Sequence, residues 1–245
     1  MSSDIWTSAA VASSADQYDS TTYRFTSSDG KAAIQEVSNS ARTVEIVESI
    51  LYRHRSRIGI QSEKLHRMLA TPFERTDLIR QTRFRGPQDP GVYYCAETVE
   101  TAACEFAFHR LMHFLKDSPE LKRLESSAIQ ITCDVSTLGV DIRFPPYAKY
   151  NKELQSKSDY SLTQKVGRSA RAAGVGAVIY TSARGETSGA CVALLNPSAF
   201  KNPQRLNLKY SWHLTVFENR AIFSDSESSK LLEFEYSERH GFVTD

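Results

Sequence analysis

Glu105 lies within Thr101-Ala102-Ala103-Cys104-Glu105-Phe106-Ala107-Phe108, the most apolar neighbourhood of any acid in the chain. A carboxylate there either pairs with a cation or serves a site, because burying a lone charge is costly. It also reads as a solvent-facing acid on the polar side of an amphipathic helix, and the residues alone leave both readings standing. Ser182 follows the apolar run Ala177-Val178-Ile179-Tyr180 and precedes Ala183-Arg184-Gly185. A strand end that enters a glycine-bearing loop often carries a ligand-contacting hydroxyl. The flanks are not Gly-x-Ser-x-Gly, so the nucleophile elbow of a serine hydrolase is missing, and nothing in the spacing of His213 favours a triad. Arg83 and Arg85 flank Phe84 just before Gly86-Pro87, with Arg75 and Arg80 close by. Guanidinium forks suit phosphate or carboxylate, while a solvated loop cation is the plain alternative. Tyr94 ends a short strand that points at the Glu105 helix; packing is the commoner role for such a tyrosine. His109 and His113 have a zinc-compatible spacing, but no H-E-x-x-H acid or third ligand accompanies them.

The elements that must position these groups are legible from periodicity. Residues 31–58 repeat apolar side chains at helical steps through Ile34, Val37, Ala41, Val44, Val47 and Leu51, with Gly59 as a stop. A second helical stretch runs from Glu63 to Leu69 until Pro72 breaks it. Val92 to Ala96 reads as a strand, and 99–116 as a helix with Thr98 as N-cap. Ile129–Val135 and Val140–Phe144 alternate as two strands. Residues 161–173 form a helix, Ala177–Tyr180 and Gly189–Leu195 strands, and 208–217 and 231–236 late strands joined by a polar loop through Ser224–Ser229. Strands and helices without regular βαβ alternation indicate an α+β fold. Residues 1–30, rich in Ser, Ala, Thr and Asp, read as a flexible N-terminal arm, with an aromatic docking segment as the alternative.

Composition narrows the classes. The 245 residues carry 30 Lys plus Arg against 29 Asp plus Glu, a net charge of +1, which gives no electrostatic case for nucleic acid or an anionic membrane. No apolar run approaches the roughly 18 residues that span a bilayer. No signal peptide is visible, so the expectation is a cytoplasmic protein. The four cysteines, Cys95, Cys104, Cys133 and Cys191, have no zinc or CxxC spacing and read as small reduced core residues. No Rossmann or P-loop fingerprint occurs.

Two stretches carry a resemblance. The first comprises Thr71-Pro72-Phe73, then Arg83-Phe84-Arg85-Gly86, then Tyr93-Tyr94-Cys95-Ala96-Glu97-Thr98 through Glu105. The second comprises Asp159-Tyr160, Gln164, Gly167-Arg168, Ala172-Ala173-Gly174-Val175, Ile179 to Arg184, and Cys191 to Leu195. In order and separation they resemble the two halves of the RES domain, named for its Arg, Glu and Ser. The resemblance covers roughly residues 65–200. It places the family's Glu on Glu105, its Ser on Ser182, its Tyr on Tyr94, and its Arg on Arg83 or on Arg75. The chain departs from the family where Arg83-Phe84-Arg85 replaces the usual Arg-Trp-Asn.

The resemblance implies an ADP-ribosyltransferase-like mixed sheet with flanking helices. Taken with the periodicity, which makes 31–64 a helical N-terminal extension after the arm at 1–30, it leaves 65–245 as a RES-like catalytic domain. It implies NAD as substrate rather than cofactor, with inorganic phosphate as a co-substrate if cleavage is phosphorolytic and water if it is hydrolytic. No metal is called for. Family members are toxins, neutralised by an antitoxin that carries a DNA-binding domain. On this reading Glu105 stabilises the ribose cation, Arg83 with Arg75 and Arg184 meets the substrate, and Tyr94 and Ser182 contact and orient it. A mono-ADP-ribosyltransferase acting on one host protein, and a non-catalytic nucleotide- or partner-binding module, are the alternatives.

Overall fold

The computed structural model describes residues 4–27, 65–74, 81–117, 122–185, 189–204, 206–237 and 241–243. Its framework is set by two long strands, β1 (Ala15–Ser27) and β3 (Arg123–Asp141), which pair antiparallel from Ala15↔Val140 to Ser27↔Ala128. Three shorter strands complete a ring with them. These are β2 (Tyr93–Ala96), β4 (Ala177–Tyr180) and β5 (Cys191–Leu194), in the order β1-β2-β5-β4-β3 and back to β1. The β3–β4 pairing is parallel and the others are antiparallel. From β3 the sheet continues outward through β6 (Asn207–Phe217), β7 (Arg220–Asp225), β8 (Leu231–Ser237) and β9 (Gly241–Val243). Five α-helices among the described residues flank it, α1 (Ser8–Ser13), α2 (Arg67–Ala70), α3 (Val99–Asp117), α4 (Asn151–Leu154) and α5 (Ser161–Ala172), together with 3-10 turns at Ala148–Tyr150 and Pro197–Ala199.

 The result is α+β, with one mixed sheet and helices on its faces.

β2, β4 and β5 are buried on both faces, which is why their sequences read as unbroken apolar runs. Alternate side chains go to different cores. Tyr93, Cys95, Ala177, Ile179, Val192 and Leu194 fill the inside of the ring with Leu69, Phe73, Ile131 and Phe200. Val178, Tyr180, Cys191 and Ala193 face the other way, toward α5. A third cluster packs α3, through Ala103, Ala107, Leu111 and Phe114, onto Trp212, Leu214, Phe223 and Phe234 of the outer strands. All four cysteines are free and buried.

Several sequence expectations change. Residues 4–27 are not a flexible arm: they hold α1 and the whole of β1. The stretch lacked an apolar period because β1 is stabilised by pairing along its full length rather than by an apolar face of its own, and its Thr and Tyr residues favour extended backbone. Tyr18, Tyr23 and Phe25 pack within the fold, and Trp6 packs on Tyr147 and Tyr150. The helix expected over 31–58, and the extension over 31–64, lie outside the described residues. The two strands expected at 129–135 and 140–144 are one strand of 19 residues ending at Asp141. The polar loop expected at Ser224–Ser229 begins in β7, and β7 and β9 were not foreseen. No helix among the described residues is long and apolar enough to cross a membrane.

Two outcomes are expected. A chain that starts at residue 28 lacks the partner of β3 and should fail to fold; a soluble product with a cooperative melt would contradict the pairing. Asp225, only 2% exposed, accepts from Lys209 Nζ at 2.6 Å and Ser211 Oγ at 2.6 Å, and also from Ser228. Burial works against its charge, but these donors outweigh burial and hold the carboxyl below its ordinary value. A group depressed in the folded state stabilises above its unfolded pKa, about 4, and loses that contribution as pH falls. Asp225→Asn should therefore destabilise the protein at neutral pH and flatten the acid side of its stability profile, as read by denaturant melts.

Candidate active site

Glu105 and Ser182 meet. The Ser182 hydroxyl donates to Glu105 Oε1 at 2.6 Å, and the Cys191 thiol approaches the same oxygen at 3.5 Å. Ser182 Oγ in turn accepts from the Arg184 N–H at 3.1 Å. Its proton is thus committed to the carboxylate and its lone pair to a main-chain donor, which makes the serine an orienting group. Local structure explains the meeting. Thr98 Oγ1 accepts from Thr101 N at 3.1 Å and caps α3. Gly189 lies against that cap: a Cβ there would sit 2.7 Å from Thr98 Oγ1. The chain leading into β5 therefore rides over the first turn of α3, which sets Cys191 beside Glu105.

Tyr94 of β2, Tyr180 of β4 and Cys191 of β5 line one cavity of about 370 Å³ with Glu105, Arg24, Arg83, Tyr160 and Arg184. This is within the range of small-molecule sites, at its lower end. Among the described residues that line it, Glu105 is the only acid. Burial pushes the Tyr94 phenol up; burial, then Cys191 and Glu105, does the same to Tyr180. Burial, then Glu105, holds the Cys191 thiol well above its ordinary value. These three groups stay protonated, so the wall offers one carboxylate against three guanidinium groups.

The turn Thr82–Gly86 forms another side, and α5 is shaped to receive it. Gln164 Nε2 donates to Thr82 O and Arg85 O, each at 3.2 Å. Gly167 lets the turn approach, since a Cβ there would lie 2.6 Å from Phe84 O. Arg168 Nε pairs with Asp89 Oδ2 at 3.1 Å, and the same oxygen accepts from Gly86 N at 2.7 Å. The Tyr94 hydroxyl accepts from Phe84 N at 3.0 Å and shares a proton with Thr82 Oγ1 at 2.8 Å.

Each expected site residue can now be placed. Glu105, Arg83, Tyr94 and Arg184 line the cavity; Ser182 supports it through Glu105. Arg75 lies outside the described residues. Arg83 is 8% exposed and donates to Leu154 O at 2.7 Å and Ser156 O at 3.1 Å, while its guanidinium lies over Tyr160. Both terminal nitrogens are engaged by main chain, which makes Arg83 a brace of the wall rather than the open phosphate fork expected from the sequence. Arg184 donates to the Tyr160 hydroxyl at 2.8 Å and lies over Phe108. Arg85 lines a neighbouring cavity instead. His109 is exposed at the rim; the side chain of His113 is outside the described set. Sequence reasoning missed Arg24, Thr82 and Tyr180. Nothing in the sequence around Arg24 marks it, whereas Tyr180 stood within a noted motif.

A family model for the RES domain matches residues 51–215, well over half of the chain. The chain belongs to the RES-domain family. The RES match thus takes in α3, α5, β4 and β5, and leaves α1 and β1 outside it. A comparison with curated proteins gives no match. Among solved structures, one similar to this RES protein is the M. tuberculosis MbcT–MbcA toxin–antitoxin complex, at 13% identity and a TM-score of 0.45, covering 83% of this chain and 87% of that one.

Gly167→Ala is expected to push the Phe84 carbonyl away and to cost about 1–3 kcal/mol, the usual range for overpacking. Unchanged stability in denaturant melts would show that the turn does not depend on this close approach.

Proposed function

We propose that this RES protein cleaves the nicotinamide–ribose bond of NAD, by phosphorolysis or hydrolysis, and acts as the toxin of a toxin–antitoxin pair. The observation that carries the reading is the Ser182–Glu105 hydrogen bond of 2.6 Å at the wall of a cavity whose other charges are positive. Membership of the RES family supports the substrate and the partner, an antitoxin with a DNA-binding domain.

In this reading the bond from ribose C1′ to the pyridinium nitrogen breaks, and its electron pair leaves with neutral nicotinamide. Positive charge builds on C1′ and the ring oxygen, as in glycoside cleavage. Glu105 stabilises that charge and holds a ribose hydroxyl; Ser182 keeps its oxygen aimed. An oxygen of phosphate, or of water, then forms the new bond at C1′. Tyr94 and Tyr180, held neutral, supply ring surface and hydrogen bonds rather than a competing negative charge. Arg184 meets the anionic part of the substrate.

Glu105→Gln should lower NAD consumption by at least about 10²-fold, the scale of a lost transition-state electrostatic contact, with an unchanged melt. Ser182→Ala should keep the carboxylate and lose a smaller share. Expression of the wild-type gene should arrest growth, and the Glu105→Gln gene should not. Wild-type NAD loss by Glu105→Gln protein would refute the assignment.

A further inference from the structure

We propose that Arg24 is an anion site for phosphoryl oxygens at the seam of two cavities, and that it holds the diphosphate of a dinucleotide lying across both. The identity of that dinucleotide rests on the NAD reading; the anion site itself does not.

A second cavity of about 440 Å³ adjoins the one at Glu105. Arg24, Gln81, Thr82, Tyr94 and His109 line both, so they form the shared wall. The first cavity holds the carboxylate. The second is lined by apolar Met68, Pro72, Val92 and Ile131 together with the hydroxyls of Thr26, Ser27 and Thr71. That mixture suits a base and a sugar. A ligand with two nucleoside-like ends fits such a pair of compartments, and its anionic middle falls at the seam.

Arg24 is poised for that middle. It is half-buried on β1, fixed in register opposite Ile131. Its Nη1 donates to Tyr94 O at 2.6 Å, and the guanidinium lies 4.8 Å over the Tyr93 ring, which fixes the plane of the fork. Among the described residues it has no carboxylate partner, and Nε and Nη2 make no hydrogen bond. A partly buried cation without a counter-charge is costly, and an anion with paired oxygens relieves that cost. The residue lies on β1, outside the family match at 51–215.

The test is calorimetric titration of the full-length protein with ADP, inorganic pyrophosphate and adenosine. ADP should bind wild type and bind Arg24→Gln about ten- to a hundredfold more weakly, the loss expected for a charged hydrogen-bonding group. Adenosine affinity should not change between the two. Equal ADP affinity, or no ADP binding to wild type, overturns the site. Pyrophosphate binding as tightly as ADP overturns the claim that a nucleotide occupies the second cavity. If Arg24→Gln does not fold, Arg24→Lys replaces it: its ammonium lacks the planar fork, so ADP should weaken about tenfold, and unchanged affinity overturns the proposal. NAD turnover separates the two readings. Protein that binds ADP through Arg24 but leaves NAD intact keeps the anion site and rejects the NAD-cleaving function; NAD cleavage without Arg24-dependent ADP binding does the reverse.

Discussion

The Ser182–Glu105 hydrogen bond joins the exit of β4 to the second turn of α3, and so ties together two elements that line the cavity through Tyr180 and Glu105. It requires a helix whose first turn is pinned and a sheet whose strands cannot shift. The first is met by Thr98 and by the close approach of Gly189. The second follows from the burial of β4 and β5 on both faces, since a register slip would exchange every side chain between the two cores.

Charge is distributed around that bond with one sign opposed to the other. Among the described residues lining the cavity, a single carboxylate faces Arg24, Arg83 and Arg184. Two of these guanidinium groups are tied to neighbours: Arg83 to the carbonyls of Leu154 and Ser156, and Arg184 to Tyr160. Tyr160 therefore stands between the two arginines and helps to fix the wall. The arrangement favours a ligand that brings its own negative charge to the cations and develops positive charge beside Glu105.

The sequence revealed the parts of the site held by local pattern. Glu105 stood out because its helix is apolar around it, and Ser182 because a buried strand ends beside it. The helix and strand that carry them were placed within a residue or two. Gln164, Gly167 and Arg168 were visible as a motif, but their purpose, holding the Thr82–Gly86 turn, needs the three-dimensional contact. β1 was not legible, because thirteen residues with few aliphatics gain their structure from a partner more than a hundred positions away. Arg24 was lost with it. The engagement of Arg83 by main chain was hidden for the same reason: its partners lie in a distant loop.

The most direct measurement is incubation of the purified wild-type protein with NAD, with and without inorganic phosphate, and identification of the products by mass. The account predicts free nicotinamide together with ADP-ribose, or with ADP-ribose carrying one added phosphate when phosphate is present. NAD recovered intact under both conditions would contradict it.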